Sequence, residues 1–368
     1  MIKEGHFGFY EAYSLITIVL VTKIFYTSPL AIIRLLGTAA WLGTLISCCT
    51  ALLFFVLLYF LMKRFPGSDL YHIFETVTGK FIGKILILIF TAYLVYFAGI
   101  NLSEFIVILK IYTLPLSPSS FLIGAFLLIT IVMGYVGLEG IARVSRVFVY
   151  PIIGGVILIL LLAIPSYDFD YLKPYLGYGV QKTALVGLLR SSAYDEIVLL
   201  AVIIRSLHNV KLFKRVGFLS LLTTGLMLSA SLMCMIASFQ YTAGSEHISG
   251  MYQLTRVIYF SRFFQRVETL FLFVWIFSSL ITVSFLFYEA ISSYCRVFKI
   301  TNHRPLLIPF AILIYFITMT PTTVTDLIEV HVMFVREYSI GIFMLIPLFV
   351  FAVAVIRRKK GVKSHAES

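Results

Sequence analysis

Thr22-Lys23-Ile24-Phe25-Tyr26-Thr27-Ser28-Pro29 interrupts the first long apolar run of this chain, residues 14–33, near its middle. A lysine near the centre of a bilayer-length run costs about 2.5–3.5 kcal/mol on insertion scales, so it usually faces a partner or a cavity instead of hydrocarbon. The residues after it offer a fresh start: Ser28 can cap a helix, and Pro29 suits its first position, where a missing N–H does no harm. The stretch therefore predicts one helix ending near Lys23 and a second starting at Pro29. Two half-helices meeting at mid-depth expose carbonyls from the first and N–H groups from the second, a construction able to hold a solute or an ion.

The remaining composition places this break in a membrane. Of 368 residues 60% are hydrophobic and 12% charged, and the mean hydropathy is +1.01, far above soluble domains. Runs of about 20 apolar residues recur without dyad alternation, which selects a helical bundle over a barrel. Ten spans are expected, at 9–36 (broken), 38–62, 81–109, 119–138, 144–164, 183–207 (broken), 213–239, 268–297, 305–321 and 338–356. The apolar start runs on into further spans and lacks a cleavage site, unlike a removable signal. Net charge is +12, yet Lys and Arg cluster between spans, which argues for loops beside a lipid bilayer and against nucleic acid. With the N-terminus inside, the inner segments hold 19 of them and the outer segments 8, counting Arg262, Arg266 and Arg336 outside and Lys363 inside. That bias predicts both termini cytoplasmic and an even number of spans. The basic end Arg357-Arg358-Lys359-Lys360 suits anionic lipid. Cys48, Cys49, Cys234 and Cys295 lie in or beside apolar runs without metal-ligand spacing and read as small buried hydrophobes.

A second interruption, Leu188-Leu189-Arg190-Ser191-Ser192-Ala193-Tyr194-Asp195-Glu196, falls five spans after the first. Ser192 and Asp195 fit a capping box that starts a second half-helix. The spacing predicts an inverted repeat of five plus five: 1–164, 165–357, then a basic tail at 358–368. A span that simply begins at Ala193, leaving Arg190 outside, is the alternative. In the third span Tyr93, Tyr96, Asn101 and Glu104 fall near one helical face; a lumen-facing stripe fits all four, and for Glu104 a helix end wetting at the outer interface fits as well. The small polar groups of span eight, Ser279 among them, can line a cavity or join helices. Glu139 and Arg143, four apart, form either a structural pair or a gate at the cytoplasmic mouth. Asp326, Glu329, His331 and Glu337 are expected in solvent, as is Glu289 near an inner helix end, and 250–260 is expected to lie along the outer surface.

Three stretches together resemble one known family: Gly137-Leu138-Glu139-Gly140-Ile141-Ala142-Arg143-Val144; Tyr171-Leu172-Lys173-Pro174-Tyr175-Leu176-Gly177-Tyr178-Gly179; and Phe264-Gln265-Arg266-Val267-Glu268-Thr269-Leu270-Phe271-Leu272-Phe273-Val274-Trp275-Ile276. With the basic C-terminal end they resemble the spore germination permeases, the membrane B subunits of endospore germinant receptors, within the amino acid–polyamine–organocation superfamily. The resemblance implies an all-α LeuT-type fold of ten helices with broken helices 1 and 6. It also implies recognition of an amino acid or similar small molecule at those helices, partner A- and C-type subunits, and a spore inner membrane location. One departure stands out. Where many relatives carry a glycine-rich break in the first helix, this chain has bulky Phe25 and Tyr26, with less backbone freedom to wrap a ligand.

The expected ligand site comprises Thr22, Lys23, Phe25, Tyr26, Thr27, Ser28, Tyr93, Tyr96, Ser191, Ser192, Tyr194 and Ser279, with Lys23, Glu104, Glu139, Arg143 and Glu196 in coupling or gating. A ligand α-carboxylate is expected at the N-terminus of the Pro29 half-helix. Lys23 is expected beside the carbonyls ending the first half-helix, replacing a bound Na⁺ or titrating if desolvated. The leading function is a ligand-sensing, permease-like subunit; the rivals are a proton-coupled amino-acid transporter of the same fold and a structural scaffold with a vestigial pocket. No nucleophile–base pair, metal-ligand cluster or phosphate loop suggests an enzyme, and no cofactor is expected.

Overall fold

Every element among the described residues is helical. The computed structural model describes residues 5–207, 210–244, 246–258 and 267–361; Arg262 and Arg266, the Phe264-Gln265-Arg266 start of the third family stretch, and Lys363 with the tail from 362 lie outside them.

Helix α1 (Phe9–Val21) opens with the Gly8 N–H donating to Glu11 at 3.1 Å, and winds on as a tighter 3₁₀ turn over Thr22–Phe25. After Tyr26 and Thr27, α2 (Ser28–Leu36) begins, and Gly37, at φ +60°, lets the chain swing directly into α3 (Ala40–Arg64). Asp69 starts α4 (Leu70–Thr78) by accepting the His72 N–H at 2.7 Å. The long α5 (Lys80–Tyr112), α6 (Ser119–Val136) and α7 (Leu138–Leu162) follow. Next come α8 (Val180–Leu189), a nine-residue 3₁₀ stretch over Arg190–Val198, and the single turn α9 (Leu199–Val202). α10 (Val210–Gly244) bends at Gln240, where φ is +56°; α11 (Gly250–Val257), α12 (Glu268–Phe298) and α13 (Leu307–Thr318) complete the series before the last segment. That last segment strings α14 (Val324–Asp326), α15 (Met333–Ser339) and α16 (Ile346–Ile356) together through two wider π turns.

Seven continuous helical stretches among the described residues are long and apolar enough to cross a membrane: Ser28–Arg64, Lys80–Tyr112, Ser119–Val136, Leu138–Leu162, Val210–Gly244, Glu268–Phe298 and Val324–Ile356. The two broken segments and Arg304–Thr318 are shorter or interrupted. From Ser14 onward α1 is buried all round, set among α7, α10 and α12, while the 3₁₀ stretch of the sixth segment lies against α3. Outward faces of the peripheral helices stay apolar too, with Leu128, Val136, Val147, Phe349 and Val355 exposed, as lipid contact requires.

The structure corrects four expectations. Glu289 is buried rather than solvated, because α12 is enclosed on every side from Ile281 to Ile291. Arg336 is not an outer-loop charge: the last helical run begins at Val324, well before the expected 338, so Arg336 falls inside it and is 8% exposed. The helix expected to lie on the surface, α11, buries Met251, Tyr252 and Leu254 against α10 and α12. Cys49 is exposed, unlike Cys48 and Cys295.

Candidate functional site

Both breaks arise from ordinary backbone chemistry. Pro29 has no N–H, and its ring opposes a helical carbonyl four residues back, at Phe25. That carbonyl is released and accepts the Ser249 hydroxyl at 3.1 Å, while Tyr26 turns extended at ψ −164°. Thr27, and not Ser28, takes the cap position of α2, and its own side chain caps nothing. In the sixth segment the chain winds as a 3₁₀ helix for nine residues, far beyond the usual three or four, and the expected side-chain cap at Ser192 does not form.

Lys23 joins the two breaks. Its ammonium donates to the Ala193 carbonyl at 2.6 Å, to the Ser192 carbonyl at 3.2 Å and to the Glu196 carboxylate, with Asp195 at 3.8 Å. An ammonium has three donors, and all three are used. The side chain does not snorkel; Lys23 is 2% exposed. Its partners are carbonyls of the sixth segment, not those ending the first half-helix, because the 3₁₀ turn at 22–25 aims the side chain across the bundle.

Glu104 occupies the opposite pole. From α5 it accepts the Thr27 N–H at 3.2 Å and the Thr27 hydroxyl at 2.5 Å, so the N-terminus of α2 already holds a carboxylate. It is buried, not wetting at an interface. The seat expected for a ligand carboxylate is therefore filled by the chain itself. Beside it Arg336 donates to the Ser28 hydroxyl at 2.7 Å, and its Nε has no hydrogen-bond partner among the described residues; a buried donor left unpaired costs about 1–3 kcal/mol. A recess of about 30 Å³ between the breaks and the last segment is lined by Thr27, Ser28, Arg190, Ser192, Ala193 and Arg336, among others. It has room for little more than a water.

The other expected residues divide. Thr22 bonds Thr282 at 2.9 Å, Tyr26 faces Ser279, and Phe25 meets Phe271 edge-on, so these close the core around the break. Three side chains face elsewhere than into the recess. Tyr194 donates to the Thr44 carbonyl at 3.3 Å, Tyr96 bonds His331 at 2.7 Å, and Ser191 meets the Met344 sulfur at 3.7 Å. Tyr93 donates to the Val335 carbonyl at 2.9 Å, and Asn101 folds back on Phe97 in its own helix. Glu139 and Arg143 pair at 2.6 Å within one helix, while Glu11–Arg146, at 2.5 Å, links α1 to α7. Asp195, Arg190 and Arg336 were missing from the expected site. Reading 324–356 as one run would have exposed Arg336 as a charge deep within a span.

On the N-terminal face a second cavity, of about 750 Å³, reaches between α4, the end of the sixth segment and α12. Asp69 sits at its edge, bonded to Arg296 at 2.7 Å and Arg205 at 2.8 Å, and so ties all three elements together. Among the described residues no three His, Cys, Asp or Glu side chains group as a metal site would need.

Comparison with known proteins supplies the context. Residues 8–327 match the family described as spore germination protein. Spore germination protein KB of Bacillus subtilis (strain 168) is 22% identical over 338 residues, covering 90% of each chain. The spore germination protein YfkT of the same organism is 22% identical over 257 residues, 68% of each chain. Among solved structures, a substrate-bound, outward-open, Na⁺-coupled sialic acid symporter superposes with a TM-score of 0.67 at 13% identity, covering 96% of this chain and 82% of that one. The fold is thus that of a LeuT-type transporter.

Proposed function

Since the chain belongs to the spore germination protein family, we propose that it is the permease-like membrane subunit of a germinant receptor, and that it senses an amino acid or similar small germinant at its two broken segments. It is a multi-pass membrane protein with a transporter fold. In this reading it has ten spans in two repeats, 1–164 and 165–357, with both termini and the tail from 358 on the cytoplasmic side. Partner A- and C-type subunits in the spore inner membrane receive its signal.

One observation carries the reading: the Lys23 ammonium stands among the carbonyls and carboxylates of the sixth segment. In a broken-helix fold such dipole ends coordinate a mobile cation that drives uptake. Here the cation is covalent and cannot leave with a solute, and the α2 N-terminus is filled by Glu104. A site satisfied by its own chain suits a two-state sensor, whose ligand shifts the balance between closed and open forms.

The rival, a proton-coupled transporter, requires a titratable group at the site to give up and regain a proton in each cycle. Reconstitution into proteoliposomes separates the two. Labelled amino acids that bind without accumulating, with or without a pH gradient, support the sensor. Net uptake driven by the gradient supports the transporter, and complex assembly without any ligand dependence supports a scaffold.

A further inference from the structure

The recess between the breaks holds two cationic side chains that the closed site leaves incompletely used. Arg336 is more than nine-tenths buried and lines the recess, and its Nε has no hydrogen-bond acceptor among the described residues. Arg190 lines the same recess from the sixth segment, with its guanidinium 3.7 Å from the Met333 sulfur and within the fields of Arg336 and Glu337. Two guanidiniums around one small recess repel each other, and a shared anion removes both the repulsion and the unpaired donor. The two positions a LeuT-type fold would ordinarily offer are occupied: Lys23 spends all its donors on the sixth segment, and Glu104 covers the N-terminus of α2.

We infer that the germinant of this subunit carries a carboxylate, and that Arg336 of the last segment and Arg190 of the sixth seat it on the side of the breaks facing away from the N-terminal cavity. The inference rests on the reading above that a small germinant enters between the broken segments. As closed, at about 30 Å³, the recess admits no amino acid. Entry therefore requires the last segment to swing off the breaks, and the carboxylate would hold Arg336 in that opened position. The two π turns flanking α15, at Leu327–Val332 and Ile340–Leu345, are wider windings of the kind found at functional sites, and they place Arg336 on a segment able to shift.

The test uses the full chain in lipid nanodiscs. Each of the twenty common amino acids is assayed for binding by thermal shift, each binder is paired with its own carboxamide, and D-glucose serves as the neutral solute. The expected result is at least one amino acid that binds, with the carboxamide at least tenfold weaker. Arg336→Gln loses tenfold or more, Arg336→Lys loses less because the charge persists without the planar fork, and Arg190→Gln loses severalfold. An amino acid and its carboxamide binding equally well overturns the carboxylate seat while leaving amino-acid sensing intact. So does undiminished binding in the folded Arg336→Gln variant. Binding of D-glucose and of no amino acid, or of nothing at all, overturns both the seat and the sensing function it rests on. The carboxamide comparison is made on the unaltered protein, so it holds even where a variant does not fold.

Discussion

Lys23 and Ala193, 170 positions apart, are joined by a 2.6 Å hydrogen bond from ammonium to carbonyl, so the side chain of one broken segment closes the backbone of the other. Removing one member of a buried ion pair costs on the order of 3–5 kcal/mol, because the remaining charge stays buried. Lys23→Met should insert into the membrane, unfold at a clearly lower temperature and lose ligand response. Adding Glu196→Gln should recover part of that loss, giving a coupling energy of about 0.5–3 kcal/mol in a double-mutant cycle. Strict additivity of the two changes would show that the pair does not interact.

Glu104 supplies the cap that α2 lacks from its own sequence. Glu104→Ala leaves the Thr27 N–H and hydroxyl without their acceptor and should destabilise the segment by about 1–3 kcal/mol. Hydrogen exchange should quicken at the first turn of α2 and not at α3. Glu104→Gln, which keeps an acceptor oxygen, should show a smaller change. Equal exchange in all three proteins would mean that the cap contributes nothing.

The two surface ion pairs should behave alike in stability, and Glu139–Arg143 joins residues of a single helix. Both members lie on α7, so Glu139→Gln should change stability by no more than about 0.5 kcal/mol and leave the rate of ligand response untouched. Arg146→Gln, which frees α1 from α7, should cost about 0.2–1 kcal/mol. A changed response rate in Glu139→Gln would support the gate.

Asp69 binds Arg205 and Arg296 together at the edge of the larger cavity, and Cys295 lines that cavity while remaining buried. Asp69→Asn weakens both ion pairs. Maleimide labelling of Cys295, read by mass spectrometry at each site, should then speed several-fold, while Cys48, buried against α10, keeps its rate. Unaltered labelling of Cys295 would show that Asp69 does not hold this face.

The break at 22–29 was legible because its signals are local: proline removes a hydrogen bond at a known position, and a lysine has no stable place in hydrocarbon. The second break was legible from the small and charged residues that interrupt its apolar run, and its place five spans later pointed to the fold that the symporter superposition shows. The partners were not legible. Nothing in the sequence around Lys23 says that its ammonium crosses to the sixth segment, since that depends on the direction a four-residue 3₁₀ turn leaves the side chain. Tyr194 shows the same limit. One residue from Ala193, it points to α3 because successive positions of a tight helix face different neighbours.

Sequence alone settled that this is a membrane-embedded helical protein and where two of its helices fail, because hydropathy and proline chemistry act over a few adjacent residues. Tertiary packing decided which charge meets which. Glu104 reached the end of α2 and Arg336 entered the recess only because distant helices came to lie side by side, and an ion pair buried in a bundle depends on that placement and on nothing in its own neighbourhood of the chain.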